Sequence, residues 1–155
     1  MNKFLKILGG IFLILLLVIG VGAAIFIPRA LTLNRDAIVY IEANVPAIVE
    51  EWNSDELTKR AAPELLTPQV QKEMPRLFAW FASLGKLKKL DKPIGRIYTG
   101  VHAGTHTNGT WGDYAVHADF EAGQAQITIP LIRVGQSWKI MGFHVDSPVF
   151  LPSHD

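Results

Sequence analysis

Residues 111–121 read WGDYAVHADFE, and this stretch decides the fold. Successive side chains of an extended chain point to opposite sides. Tyr114, Val116, Ala118 and Phe120 therefore share one face, and Ala115, His117, Asp119 and Glu121 share the other. One face is apolar and the other polar, as in a strand buried on one side only. The same two-residue period recurs on both flanks, over Ile94 to Ala103, Gln124 to Val134 and Ser137 to Asp146. Asn108-Gly109 carries the signal of a type I′ hairpin turn. Gly123 and Gly135-Gln136 mark the next two turns, each too short for a parallel crossover. Four strands in an antiparallel meander are expected. Pro130 has no N–H to give, so the third strand must be unpaired or bulged on one side. The edge beside it is an expected docking strip.

Upstream of Asp91 the period becomes helical. Ile38, Ile41, Val45, Ile48, Val49 and Trp52 mark one face of a helix from Asp36 to Trp52, which Pro46 should kink or split after its first turns. Asn53 with Glu56 has the spacing of a capping box and opens a short second helix ending before Pro63. Thr67 followed by Pro68 starts a third. Met74, Leu77, Phe78, Trp80, Phe81 and Leu84 give it a heavy apolar face, Pro75 should kink it, and Gly85 ends it. Lys86, Lys88 and Lys89 read as a solvated helix end. Three helices followed by a sheet predict an α+β domain, with the helices on the sheet's apolar face.

Further out, Ile7 to Ile27 contains no charge, Asn, Gln or proline. As a helix it covers roughly 30 Å, the thickness of a bilayer's hydrocarbon core. A secretory signal would have an apolar centre of about 7–15 residues, so length favours a retained anchor over cleavage after Ala24. Lys3 and Lys6 precede the run and Arg29 and Arg35 follow it; the short tail favours a cytoplasmic N-terminus and a periplasmic domain. The expected organisation is a tail (1–6), a transmembrane helix (7–27), a linker (28–35), an α+β domain (36–150) and a second tail (151–155). Of 15 Lys+Arg, removing Lys3 and Lys6 leaves 13 against 14 Asp+Glu. So balanced a domain lacks the basic stripe that nucleic acid requires. With no cysteine, thiol chemistry and lipid attachment to cysteine are excluded.

The closing strand contains Ser137-Trp138-Lys139-Ile140 and Gly142-Phe143-His144-Val145. Together with the order of helices and strands it resembles the nuclear-transport-factor-like (cystatin-like cone) superfamily, over about Asp36 to Pro148. The resemblance implies a curved sheet wrapped around the helices as a cone. It also implies several functions on one fold: isomerases, dehydratases, ligand binders and non-catalytic assembly domains. No catalytic motif of these carries over residue by residue.

His117 with Asp119, and His144 with Asp146, repeat a His-x-Asp pattern that puts both side chains on one strand face. With Asp113 they form the candidate polar cluster. His102, His106 and His154 join no such pattern. Tyr40, Trp52, Trp80, Phe81 and Trp138 are the candidate pocket lining, though aromatics of this kind more often fill a core. No metal site and no cofactor are expected. The expected function is a membrane-anchored periplasmic interaction domain, an accessory or assembly subunit of an inner-membrane complex. Its partners would be the bilayer, through residues 7–27, and another membrane protein. The alternative is a small-molecule binder or an isomerase- or dehydratase-type enzyme using the cone cavity.

Overall fold

A computed structural model describes residues 2–101 and 108–151. The chain divides into two compact units, Met1–Arg35 and Asp36–Asp155. Helix α1 runs without interruption from Asn2 to Val49, so the stretch 28–35 expected as a linker is helical. Ile11 to Ile19 and Val21 are each 52–66% exposed. Among the described residues no helix is long and apolar enough to cross a membrane.

The second unit begins with the last turns of α1, which bury Ala37, Ile41, Val45, Ile48 and Val49. Pro46 neither ends nor splits the helix, which closes beyond it with Glu50 N–H donating to Pro46 O at 2.9 Å. Trp52 then turns the chain with φ of 48°, and Asn53 N–H reaches back to Ile48 O at 3.1 Å. Glycine normally fills such a left-handed cap, and a tryptophan costs about 1–2 kcal/mol there. The indole offsets this by burial: its ring lies 5.1 Å from Phe120 and 5.7 Å from Phe81, and Nε1–H donates to Gly85 O.

Helix α2 (Ser54–Arg60) is capped by the Asn53 side chain, which accepts from Asp55 N–H. Glu56 does not close the expected capping box; it pairs with Lys59 and Arg60 instead. Helix α3 (Pro68–Phe81) starts on Thr67, whose hydroxyl accepts from Val70 N–H, and buries Met74, Phe78 and Phe81. That narrow stripe leaves Leu77 and Trp80 on its flanks, 44% and 50% exposed. A 3-10 turn follows (Ala82–Leu84), and Gly85, at φ of 76°, ends it.

The sheet has strands β1 (Leu87–Leu90), β2 (Ile94–Val101), β3 (Asn108–Phe120), β4 (Gln124–Val134), β5 (Ser137–Ile140) and β6 (His144–Asp146). It is antiparallel throughout and curled into a half-barrel. β3 and β4 are long and central; β1 and β2 share one flank of β3, and β5 and β6 share the outer flank of β4. The four expected rows are present, with both outer rows broken in two. Asn108 and Gly109 are not a turn: they pair with Val101 and Gly100 in the ladder. The connection between β2 and β3 lies outside the described residues.

Pro130 explains the break between β5 and β6. Its carbonyl accepts from Met141 N–H at 2.8 Å, so its nitrogen, with no hydrogen to give, faces the same flank. Leu131 pairs with Ile140; continuing that register would set His144 opposite Ile127, but Val145 stands there. The extra residue is a bulge, and it reverses the parity of the strand. Trp138 and Ile140 before it and Phe143 and Val145 after it consequently all contribute to one core. The row beside Pro130 is filled by this chain, so no docking strip opens there.

The core lies between the helices and the inner face of the sheet. Tyr114, Val116, Ala118 and Phe120 are at most 3% exposed, and Ile127, Ile129, Leu131 and Ile140 are fully buried. Among the described residues no polar or charged side chain joins them.

Candidate functional site

Alternation sends the polar half of each strand outward, away from the helices. β3 contributes Asp113, His117 and Asp119, and β4 contributes Gln124 and Gln126. The register sets His117 opposite Gln126, and Gln126 in turn opposite Asp146 of β6. Lys89 of β1 faces Asp119. Apart from Asp113, these residues, with Asp91 and Pro148, line an open depression of about 450 Å³ on the outer face.

Most of its charged groups are paired. Gln124 Nε2 donates to Asp119 Oδ1 at 2.9 Å, and Lys89 Nζ lies 2.7 Å from Asp91 Oδ1. The Lys89 ammonium holds the Asp91 carboxyl below its ordinary range, through a hydrogen bond first and its charge second, and Asp91 raises Lys89 in return. His144 Nε2 is 3.3 Å from Asp146 Oδ2, with both side chains about 70% exposed.

The depression thus gathers His117, Asp119 and Asp146 from the expected polar cluster, with His144 attached through Asp146. Asp113 stands apart. It lies four residues up β3 from His117, about 13 Å along the strand, and accepts a short hydrogen bond from the Tyr98 hydroxyl. That bond is the main reason the Tyr98 phenol is pushed up to about 12. The Tyr98 ring stacks on Trp111 at 6.4 Å. His102, His106 and His154 lie outside the described residues. Among those described, no group of three His, Cys, Asp or Glu could hold a metal ion.

The five aromatics expected to line a pocket do not meet around a shared space. Trp52 and Phe81 pack with Phe78 and Phe120 in the core. Trp138 is buried beneath Arg133, 5.9 Å from the ring centre. Tyr40 is partly buried and donates to Arg60 O; burial raises its phenol, against the opposing charge of Arg60. Trp80 is half-exposed and packs at a tilt on Phe150, 4.3 Å between ring centres.

Lys89, Asp91, Gln124 and Gln126 belong to the outer site and are missing from the cluster read off the sequence. The two glutamines are legible there, since they alternate with Ala125 and Ile127 in a strand of known face. Lys89 and Asp91 are not, because their segment reads as a helix end. In chemical terms the outer site is a solvated and partly paired surface. A carboxylate raised for general acid work needs an apolar surrounding instead. No family model, curated protein or solved structure matches the chain.

Proposed function

We propose that the chain is a membrane-anchored interaction protein. In this reading residues 7–27 cross the inner membrane, residues 1–6 remain in the cytoplasm, and residues 36–150 form a periplasmic domain of the nuclear-transport-factor-like type. That domain serves as an accessory or assembly subunit beside another membrane protein. The curled antiparallel sheet packed on helices supports the cone-like assignment.

The observation that carries the functional reading is the interior of the half-barrel. An isomerase or dehydratase on this fold would keep an apolar cavity there with an inward carboxylate or imidazole. Here Trp52, Phe78, Phe81 and Phe120 occupy the space, with ring centres 5.1–6.5 Å apart. His117, Asp119, His144 and Asp146 all sit on the opposite, wet face. Anchoring is supported by the uncharged run from Ile7 to Ile27 and by the exposure of its described side chains along an unbroken helix.

Fractionation of cells making the full chain tests the proposal. It should stay in the membrane after alkaline carbonate extraction, and protease should reach the domain in spheroplasts but not in intact cells. Release by carbonate, or a mature protein starting at Ile25, would overturn the anchor; protection in spheroplasts would overturn the orientation.

A further inference from the structure

We infer that β2 is the seam of a homodimer, pairing antiparallel with β2 of a second copy about an axis through Ile97. The inference names the partner of one edge and rests on the interaction-domain reading above. A sheet edge presents unpaired backbone groups, and proteins blunt such edges with lysines, prolines, bulges, short strands or covering chain. Three of the four outer segments are managed in these ways. β1 carries Lys88 and Lys89 and a register shift between Leu87 and Lys89. β5 is covered: Ala61 bridges Ile140, and Ala62 N–H donates to Ile140 O at 2.8 Å. β6 is three residues long, with the polar side chains of His144 and Asp146 at its ends. β2 differs. It runs eight residues, IGRIYTGV, with one charge and no internal proline, and among the described residues it pairs only with β3.

The occupant follows from complementarity on the outer face. Arg96 stands opposite Asp113 in the ladder, but the carboxylate is engaged by Tyr98, and Arg96 makes no ion pair among the described residues. An antiparallel pair related by a two-fold axis must align residues whose numbers differ by an even amount, since side chains and backbone groups alternate along both strands. Centred on Ile97, that rule sets Arg96 of each copy opposite Tyr98 of the other. Each guanidinium then meets an aromatic ring whose hydroxyl is bound to a carboxylate, a favourable cation–π and charge contact made twice. The same register sets Ile94 opposite Gly100. That is room for a side chain 73% exposed in the single copy. Centring on Tyr98 would instead bring two Tyr98–Asp113 pairs together without a cation.

The absence of cysteine makes this register directly readable. Directly opposed residues have Cα atoms about 4.5–5.5 Å apart, within disulfide reach. Single cysteines placed at 94 to 100 in the full chain, oxidised in membranes, should give a dimer at Ile97→Cys and little at its neighbours. Mixing chains with Arg96→Cys and Tyr98→Cys should give the mixed dimer preferentially. Arg96→Glu should weaken the detergent-solubilised dimer about tenfold, the value of two such contacts, and pairing it with Asp113→Arg should restore association. A monomeric mass for the unmodified chain, or cross-linking that peaks elsewhere in the scan, would overturn the seam. Neither result touches the anchor, which carbonate extraction tests separately.

Discussion

The two faces of β3 carry different work over the same residues. On the inner face Tyr114, Val116, Ala118 and Phe120 are at most 3% exposed and meet the helices; on the outer face Asp113 and His117 stand in solvent. A His-x-Asp repeat looks like chemistry when written as a string, but the fold puts it where water screens every charge. The aromatics expected to enclose a ligand are used in packing instead. Whether a side chain acts as a site or as a surface here depends on its parity along the strand, more than on its type.

Removing an inner-face anchor should therefore have the largest effect. Phe81 is 6% exposed and lies against Trp52, Phe78 and Phe150. Phe81→Ala should cost about 3–5 kcal/mol in chemical denaturation of the domain. A loss below about 0.5 kcal/mol would mean that this side of α3 does not face the core.

Next comes a position where the inner face has no room. A Cβ on Gly95 would sit 2.2 Å from Asp113 O and 2.5 Å from the Tyr114 ring, which lies flat against this glycine and Gly112. Gly95→Val should destabilise by about 1–3 kcal/mol through overpacking, read as a lower denaturation midpoint. An unchanged midpoint would show that the Tyr114 ring lies elsewhere.

Much of this was legible in the sequence because local signals and the global fold agree. Asn53 and Thr67 cap the helices that they predict, and the alternation in β3 and β4 names the buried face residue by residue. Pro130 announces an irregular side of its strand, and the irregularity falls in the neighbouring row, between β5 and β6. β1 was hidden because Leu87 and Leu90 are three apart, a helical spacing. The register shift between Leu87 and Lys89 lets both leucines turn inward from a strand, opposite Phe120 and Ala118. Arg96, Tyr98 and Asp113 were not connected because their meeting depends on the β2–β3 register, which a misplaced turn at Asn108-Gly109 obscures. The depression itself needs three strand pairings at once, and no local pattern encodes those.

A smaller effect probes the outer face through pH. Tyr98 and Tyr114 are both pushed up to about 12, Tyr98 chiefly by its bond to Asp113 and Tyr114 by burial. A phenol raised in the folded state contributes stability that is complete below its unfolded value of 10.0 and is lost as pH rises through about 12. Tyrosinate absorbance should accordingly appear late in the folded protein. Asp113→Asn should move one of the three tyrosines back towards 10.0 and leave Tyr114 where it is. Movement of Tyr114 as well would mean that the two faces are coupled through β3.

The smallest effect is expected at the residues that look most like chemistry. His117 and His144 stand outside the core, and the His144–Asp146 pair is about 70% exposed on both sides. Exposed pairs of this kind contribute little, because water and salt screen the attraction and ordering two side chains offsets the remainder. Replacing His117 and His144 together by Ala should leave stability within about 0.5 kcal/mol, membrane retention unchanged and the Ile97→Cys cross-link intact. The double variant is the sharpest test of the comparison because it removes two imidazoles of the outer face, both on exposed residues. If it abolished a function that Phe81→Ala merely weakened in proportion to lost stability, the outer face would be the working site and the filled interior only its support.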